Sequence, residues 1–318
     1  RLPVPFAVQG AGQALEEEVI VLAGPTASGK TELAVALAER LGAEIISADS
    51  RQVYRGLDAG TAKPDAAQRR RVPHFLLDII GPSESYDAGR FARDARAAMA
   101  DITARGRRVI VCGGTGLYLK ALLEGLAPLP PRDEALRARL TRLGGPALHA
   151  RLKKADPKAA AGIPPGNVAR LVRALEVLEL TGKPISEHWE AGRKDATAAE
   201  ATLVLELPAA ALNERIERRA ETMWPALLDE VRWLVPKSYA GTEPGFTSLG
   251  YPQALAAASG RKDPAAMLDE MTDKTAQFAK RQRTWFRGQL PDATRLRADS
   301  PTLLHDALEA LHEKIVRA

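Results

Sequence analysis

Short apolar runs alternate with stretches of helical spacing along this chain. Five runs read as strands: Val19–Ala23, Glu44–Ser47, His74–Asp78, Arg108–Cys112 and Thr202–Leu207. The run Val19-Ile20-Val21-Leu22 is apolar throughout, as a buried strand requires, and Glu32–Ala38 behind it has the period of a helix. Strands alternating with helices predict an α/β fold with a parallel sheet. In such sheets ligands sit beyond the carboxyl ends of the strands. The loops beginning at Gly24, Ala48, Ile79, Gly113 and Pro208 are therefore expected to share one crevice.

Between Pro128 and about Glu200 the strand runs vanish. Helical segments appear between breaks at Pro130-Pro131, Gly144-Gly145-Pro146, Pro157 and Pro164-Pro165-Gly166. Asn167 suits the N-cap of a helix Val168–Leu180, which Gly182 and Pro184 end. Residues 131–200 thus read as an all-helical insertion. The α/β core would comprise residues 18–130 and 201–318, its last part a long helical region. Residues 1–17 read as a poorly ordered tail.

Composition narrows the class. The 318 residues are 45% hydrophobic and 27% charged, as in a soluble globular protein with a substantial core. No apolar run is long enough to span a membrane, and the start lacks a signal-peptide core, so a cytoplasmic protein is expected. The single cysteine, Cys112, excludes an intrachain disulfide and ends an apolar run, so it reads as a buried inert thiol. The five histidines are scattered without metal-ligand spacing. The net charge of +5 is a weak pointer to nucleic acid, but basic residues concentrate late in the chain.

The most specific motif is Gly24-Pro25-Thr26-Ala27-Ser28-Gly29-Lys30-Thr31, which fits G-x-x-x-x-G-K-[ST] between a strand and a helix. Such a loop turns its amides into one concavity, and the helix N-terminus adds partial positive charge, so it holds a phosphate or diphosphate. Lys30 supplies a point charge and Thr31 a hydroxyl for Mg²⁺. The fold expected is a P-loop core. Asp49 ends the second strand, where a carboxylate either takes a proton from an acceptor or simply caps the next turn. Gly113-Gly114-Thr115-Gly116 follows the fourth strand and permits close approach of a ligand, or makes a tight turn. Arg215 and Arg219 share a helix face with Arg218 beside them, suited to a departing phosphate or to a solvated face. Within Lys274–Arg287, Lys280, Arg281, Arg283 and Arg287 interleave with Phe278, Trp285 and Phe286. That mixture suits single-stranded RNA, and it also suits an amphipathic helix with its aromatics inward. Arg132, Arg137, Arg139, Arg142, Arg151, Lys153 and Lys154 make a second basic region.

Taken together these residues resemble the tRNA dimethylallyltransferases. The P-loop with Pro25-Thr26-Ala27, the block Asp49-Ser50-Arg51-Gln52-Val53-Tyr54 and Gly60-Thr61-Ala62-Lys63-Pro64 carry the likeness. So do Pro73–Asp78, Gly113–Tyr118, Lys120–Gly125, Arg170–Val177, Gly250-Tyr251 and Lys280–Arg287. The resemblance implies transfer of a dimethylallyl group from its diphosphate to the exocyclic amine of adenosine at tRNA position 37. It implies Asp49 as general base, Arg219 at the leaving diphosphate, and Thr31 with Lys30 at the diphosphate and Mg²⁺. It further implies tRNA contacts from Asp49, Ser50, Arg51, Gln52, Thr115, Arg137, Arg170, Arg173, Gly250, Tyr251, Lys280, Arg281 and Arg283. The insertion would grip the anticodon stem-loop, and the enzyme would act as a monomer. Pro252 and Ala276 stand where the family usually carries basic residues. The rival readings are a P-loop small-molecule kinase, with Phe75–Asp78 as its metal-binding strand, and a prenyltransferase acting on free adenine nucleotide.

Overall fold

The computed structural model describes residues 19–192 and 196–317. The expected tail, residues 1–17, lies outside them. The chain forms two compact units, one ending at Leu123 and resuming at Thr197, the other Glu124–Ala196.

The first unit is built on six parallel strands: β1 (Val19–Ala23), β2 (Ala43–Ser47), β3 (His74–Phe75), β4 (Arg108–Gly113), β5 (Ala199–Glu206) and β6 (Thr294–Arg297). Their order across the sheet is β3-β2-β4-β1-β5-β6. The P-loop strand β1 is thus central, and the loops after β1, β2 and β4 emerge side by side.

The apolar runs are continuous because both faces of the sheet are covered. On one face Ile20, Leu22, Ile45, Ile110, Leu203 and Leu205 pack on Leu33 and Leu37 of the helix Lys30–Leu41 and on Leu311 of the helix Leu303–Arg317. On the other, Val19, Val21, Ile46, Val109 and Val111 meet Phe91, Ala95, Met99 and Ile102 of the helix Ala88–Ala104. A third cluster joins Val53, Leu57 and Ile80 to Leu227, Val231, Phe246 and Tyr251.

Two strand expectations need correction, and one strand goes unanticipated. The run His74–Asp78 is a strand only at His74 and Phe75, because Leu76 (φ 60°) and Asp78 (φ 56°) leave the extended region. The fifth strand starts at Ala199, not Thr202. The sixth, Thr-Arg-Leu-Arg, is an edge strand with one buried residue, Leu296, so no apolar run announces it.

The second unit is helical, with Leu140, Leu148, Leu152, Leu171, Val172 and Leu175 in its core. Asn167 caps the helix Val168–Thr181, its side chain accepting from the Arg170 amide, and Gly182 closes it in the left-handed region. The unit begins ahead of residue 131 because Leu129 packs on this core and the Pro130 carbonyl accepts from Arg173 at 2.7 Å.

Its polar centre is Glu176, whose side chain is wholly buried. It accepts from Arg173 at 2.7 Å, from the Asp133 amide at 2.8 Å and from Arg137 at 3.3 Å. Burial would raise its pKa, but the bonds from Arg173 and the Asp133 amide outweigh it and hold the carboxyl below the ordinary value. Removing one partner of a buried pair is costly. Glu176→Ala should destabilise this unit by about 3 kcal/mol, read as lost hydrogen-exchange protection in the helix Val168–Thr181. Because the folded pKa is depressed, the contribution is complete above the ordinary carboxylate range and disappears as pH falls through the lowered folded value. Protection in the wild type should therefore converge on that of the variant in acid.

Candidate active site

The P-loop starts where β1 runs out. A side chain at Gly24 would stand 3.1 Å from the Leu205 carbonyl on the neighbouring strand, so the chain can turn there only without one. Gly29 adopts φ 88° and caps the helix Lys30–Leu41 without any side-chain bond to it. The first amides of that helix are thereby left for an anion. Ala27 is also left-handed, at φ 62°, which adds to the curl of the loop.

The second wall comes from β4 and β2. A Cβ on Gly113 would lie 2.2 Å from the Ala48 carbonyl, so these strand ends meet backbone to backbone. The Ala48 amide donates to the Cys112 carbonyl at 2.8 Å, and the Thr115 amide to the Ala48 carbonyl at 3.2 Å. Asp49 is thereby set beside the P-loop. Its Oδ1 accepts from the Arg51 amide at 2.8 Å and the Gln52 amide at 3.4 Å. Asp49 thus closes a local turn, with no helix following directly for it to N-cap, and its carboxylate also lines the cavity.

That cavity, about 500 Å³, is lined by Thr26–Thr31, Asp49, Cys112, Gly113, Gly114, Arg215, Arg219 and Gln282, among others. A second cavity shares Thr26, Asp49, Arg219 and Gln282 with it and adds Ser50, Arg51, Thr115, Met223, Thr247, Met271 and Arg281. The expected common crevice exists, with two changes. The loops starting at Ile79 and Pro208 do not line it; β5 contributes instead through Arg215 and Arg219, farther along the helix Ala209–Ser238.

The electrostatics are one-sided. Lys30 Nζ donates to the Pro25 carbonyl of its own loop at 2.6 Å. Arg219 reaches the Thr26 hydroxyl at 3.4 Å and the Met223 sulfur at 3.3 Å. Arg215 reaches the Ser28 carbonyl at 3.5 Å. Among the described residues none of these three cations has a carboxylate within ion-pair distance. Burial brings the Lys30 pKa down to about 8, Asp49 opposing the shift and Arg219 adding to it. Burial likewise works against the Arg219 charge, with Asp49 supporting it. The Ser28 hydroxyl is buried without a partner. Uncompensated cations and spare donors around a cavity define an anion site.

Among the described residues no cluster of three or more His, Cys, Asp or Glu is assembled. A Mg²⁺ ion fits here only as phosphate chemistry usually holds it, with most ligands from diphosphate oxygens and water and the Thr31 hydroxyl from the protein.

The remaining expected residues fall into two groups. Thr115 Oγ1 accepts from the Ser50 amide at 3.0 Å and Arg51 donates to Thr247 at 3.2 Å, both at the cavity wall. Lys280 and Arg281 are exposed on the helix Pro264–Gln289 and Arg283 is half-buried; Arg281 lies over the Phe278 ring. Gln52 also lines the first cavity, where it accepts from Ser47 and donates to the Thr61 and Ala62 carbonyls. Others turn inward. Tyr251 is wholly buried beneath Gly60, its hydroxyl 2.5 Å from Glu230, and Gly250 packs on Met271 and Leu227. The expectation that the Tyr251 side chain meets RNA is therefore corrected: it supports the Gly60 loop. Arg137 and Arg173 are engaged by Glu176, whereas Arg170 is exposed. Pro252 occupies the first turn of the helix Tyr251–Ala258, and Ala276 packs on the sheet core.

Sequence reasoning missed Gln282. It lies between Ala279 and Phe286 on the buried stripe of its helix, and that spacing was the available signal.

With the geometry in view, the likeness to known proteins is informative. The family described as IPP transferase matches residues 52–289, more than half of the chain. The chain belongs to this family. A second family, isopentenyl transferase, matches residues 17–81. Relatives of the IPP transferase chain include a tRNA dimethylallyltransferase of Anaeromyxobacter sp. (strain Fw109-5), 50% identical over 276 residues, or 85% of this chain and 91% of that one. Another, from Roseiflexus sp. (strain RS-1), is 44% identical over 303 residues, 93% of this chain and 98% of that one. The crystal structure of the full-length tRNA isopentenylpyrophosphate transferase from Bacillus halodurans matches with a TM-score of 0.69 at 33% identity, covering 95% and 98%. A eukaryotic dimethylallyltransferase acting on tRNA matches at 0.79 and 26% identity, covering 94% and 79%.

The Lys30 environment gives a measurable pH dependence. With a free-state pKa near 8, the ammonium is charged below that pH and must regain its proton to serve an anion above it. Wild-type affinity for inorganic diphosphate, divided by that of Lys30→Met, should fall as pH rises through about 8. Calorimetric titration of both proteins reads this ratio, and a ratio flat from pH 7 to about 9.5 would refute the assignment.

Proposed function

We propose that the chain is a tRNA dimethylallyltransferase that moves a dimethylallyl group from dimethylallyl diphosphate to N6 of adenosine at position 37, in the anticodon stem-loop. The C1–O bond of the donor breaks and a C1–N6 bond forms. The amine proton passes to a base, and diphosphate leaves. The observation that carries this reading is the cavity itself: an anion site of Lys30, Arg215, Arg219 and P-loop amides, with Asp49 at the end of β2 and Glu32 on the P-loop helix as the carboxylates of its lining.

The division of labour follows from position. The P-loop, Gly24 to Thr31, holds the diphosphate, and Thr31 would be the protein ligand of a Mg²⁺ ion, which would supply further neutralising charge there. Arg219 stabilises the charge that grows on the leaving oxygen. Asp49 accepts the N6 proton through the carboxylate oxygen that the Arg51 amide leaves free. Ser50, Arg51 and Thr115 border the second cavity, where the target base enters once it leaves its stack. Arg281, with Lys280 and Arg283, supplies phosphate contacts around that mouth. In the helical unit Arg170 is the exposed candidate for RNA, while Arg137 and Arg173 shape the helix that carries it. A tRNA substrate suits action in the cytoplasm.

The kinase alternative loses its metal residue. Asp78 is bound by Lys63 at 2.5 Å and by Arg69 at 2.8 Å, so it is engaged away from the P-loop. Labelled dimethylallyl diphosphate with Mg²⁺, offered separately to an anticodon stem-loop with adenosine at position 37, to AMP and to ATP, tests the rest. Label should enter the stem-loop only. Label in AMP or ATP instead moves the function to free-nucleotide prenylation.

Asp49→Asn retains an oxygen for the Arg51 amide but removes the base. It should lower kcat by about 10²–10⁴-fold with tRNA affinity nearly unchanged, as a gel-shift titration reads. Near-normal turnover would exclude Asp49 as the base.

A further inference from the structure

Gln282 lies on the helix Pro264–Gln289, 256 residues from the P-loop in sequence, yet it is hydrogen-bonded to that loop. Its Oε1 accepts from the Thr26 amide at 2.8 Å. Its Nε2 donates to the Gly114 carbonyl at 2.8 Å. The side chain is buried, and a Cβ added to Gly114 would come within 2.5 Å of Nε2, so the Gly114 backbone approaches as closely as a glycine allows. One amide group thus ties the loop after β1 to the loop after β4. It does so at Thr26, whose hydroxyl is the group that Arg219 reaches.

A primary amide is the side chain this junction needs. The Thr26 N–H requires an acceptor and the Gly114 C=O requires a donor, and a glutamine supplies both from one planar group. An acid would lack the donor and place negative charge beside the anion site. A lysine would lack the acceptor. The neighbouring positions on the helix have other duties: Phe286 is in the core and Arg281 faces the second cavity.

We propose that Gln282 is a positioning residue for diphosphate: it fixes the Thr26 peptide, and through it the curl of the P-loop and the seat of Arg219. Its reach into kinetics rests on the prenyl-transfer reading above, but its effect on anion binding does not. With Gln282 gone, the Pro25–Thr26 peptide is held from its carbonyl side alone, by Lys30 and the Ser28 amide, and the ligand must order the N–H side, at a cost in affinity. The loss is therefore specific to the diphosphate. RNA binding by the exposed cations of the same helix is not expected to change.

The test uses the full chain and inorganic diphosphate with Mg²⁺ as the probe. Gln282→Met keeps the volume and removes both bonds. It should weaken diphosphate binding about tenfold, the effect of a hydrogen-bond loss of ordinary size. Gly114→Ala perturbs the same junction from the other side by pushing Nε2 away, and should give a comparable loss. The double variant should be no worse than either single one, because both break one connection. In the transfer assay KM for dimethylallyl diphosphate should rise with them while stem-loop affinity stays within about twofold. Unchanged or tighter diphosphate binding in folded Gln282→Met overturns the proposal, as does additive loss in the double variant. If Gln282→Met fails to fold, Gly114→Ala alone decides by the same criterion. Should the wild type prove not to transfer a prenyl group, the diphosphate titrations still decide the role of Gln282.

Discussion

Two half-buried cations govern this molecule. Lys30 and Arg219 stand at one cavity, each hydrogen-bonded, among the described residues, to neutral groups and to no acid. Burying a charge without a counter-charge is unfavourable, and proteins tolerate it where a ligand completes the pair. The contrast within the same chain is direct. Arg137 and Arg173 surround Glu176, Lys63 lies between Asp58 and Asp78, and Arg105 grips Glu44. Those cations are satisfied internally and hold structure. The pair at the P-loop is left for an anion, and the stability given up there reappears as binding.

The rest of the first unit can be understood as what keeps that cavity open. A helix N-terminus and a strand end must come within reach of each other without side chains filling the gap. Gly24 and Gly113 are the two points where backbone meets backbone, against Leu205 and Ala48. The apolar layers on both faces of the sheet fix the strands from which these loops spring, so the loops inherit their register. Asp49 is then oriented by main-chain donors, which hold its carboxylate in one position at the cavity wall.

Much of this was legible in the sequence, for a physical reason in each case. A strand buried on both faces is mostly apolar, so β1 and β4 show themselves as runs, while β2 carries Ile45 and Ile46 beside a buried Glu44 that Arg105 satisfies. A phosphate cradle has few chemical solutions, so Gly24–Thr31 is specific. Asn167 and Gly182 bracket a helix because caps obey local rules. What stayed hidden depends on tertiary partners. β6 is an edge strand whose pairing with β5 supplies what its own residues do not. Leu76 and Asp78 have residue types that suit a strand, but their backbone turns left-handed, with Asp78 held by Lys63 and Arg69. Tyr251 looks like a recognition residue until Glu230 and Gly60 are placed around it.

The same reasoning reassigns the basic C-terminal block. Read as a composition, Lys280 to Arg287 is a surface for RNA. Read as a helix, it has two sides. Ala279, Gln282 and Phe286 form the buried stripe, and Lys280, Arg281 and Arg287 the exposed one. The block therefore cannot be assigned wholly to RNA or wholly to the core. A helix seated on the sheet by Phe286 and pinned to the P-loop by Gln282 presents its cations from a rigid support. Rigidity matters for any reaction at such a cavity, because misplacement of reacting groups by an ångström is enough to cost most of the rate. The aromatic residues of the block thus hold the cations in place, Phe286 from the core and Phe278 beneath Arg281, where it lines both cavities.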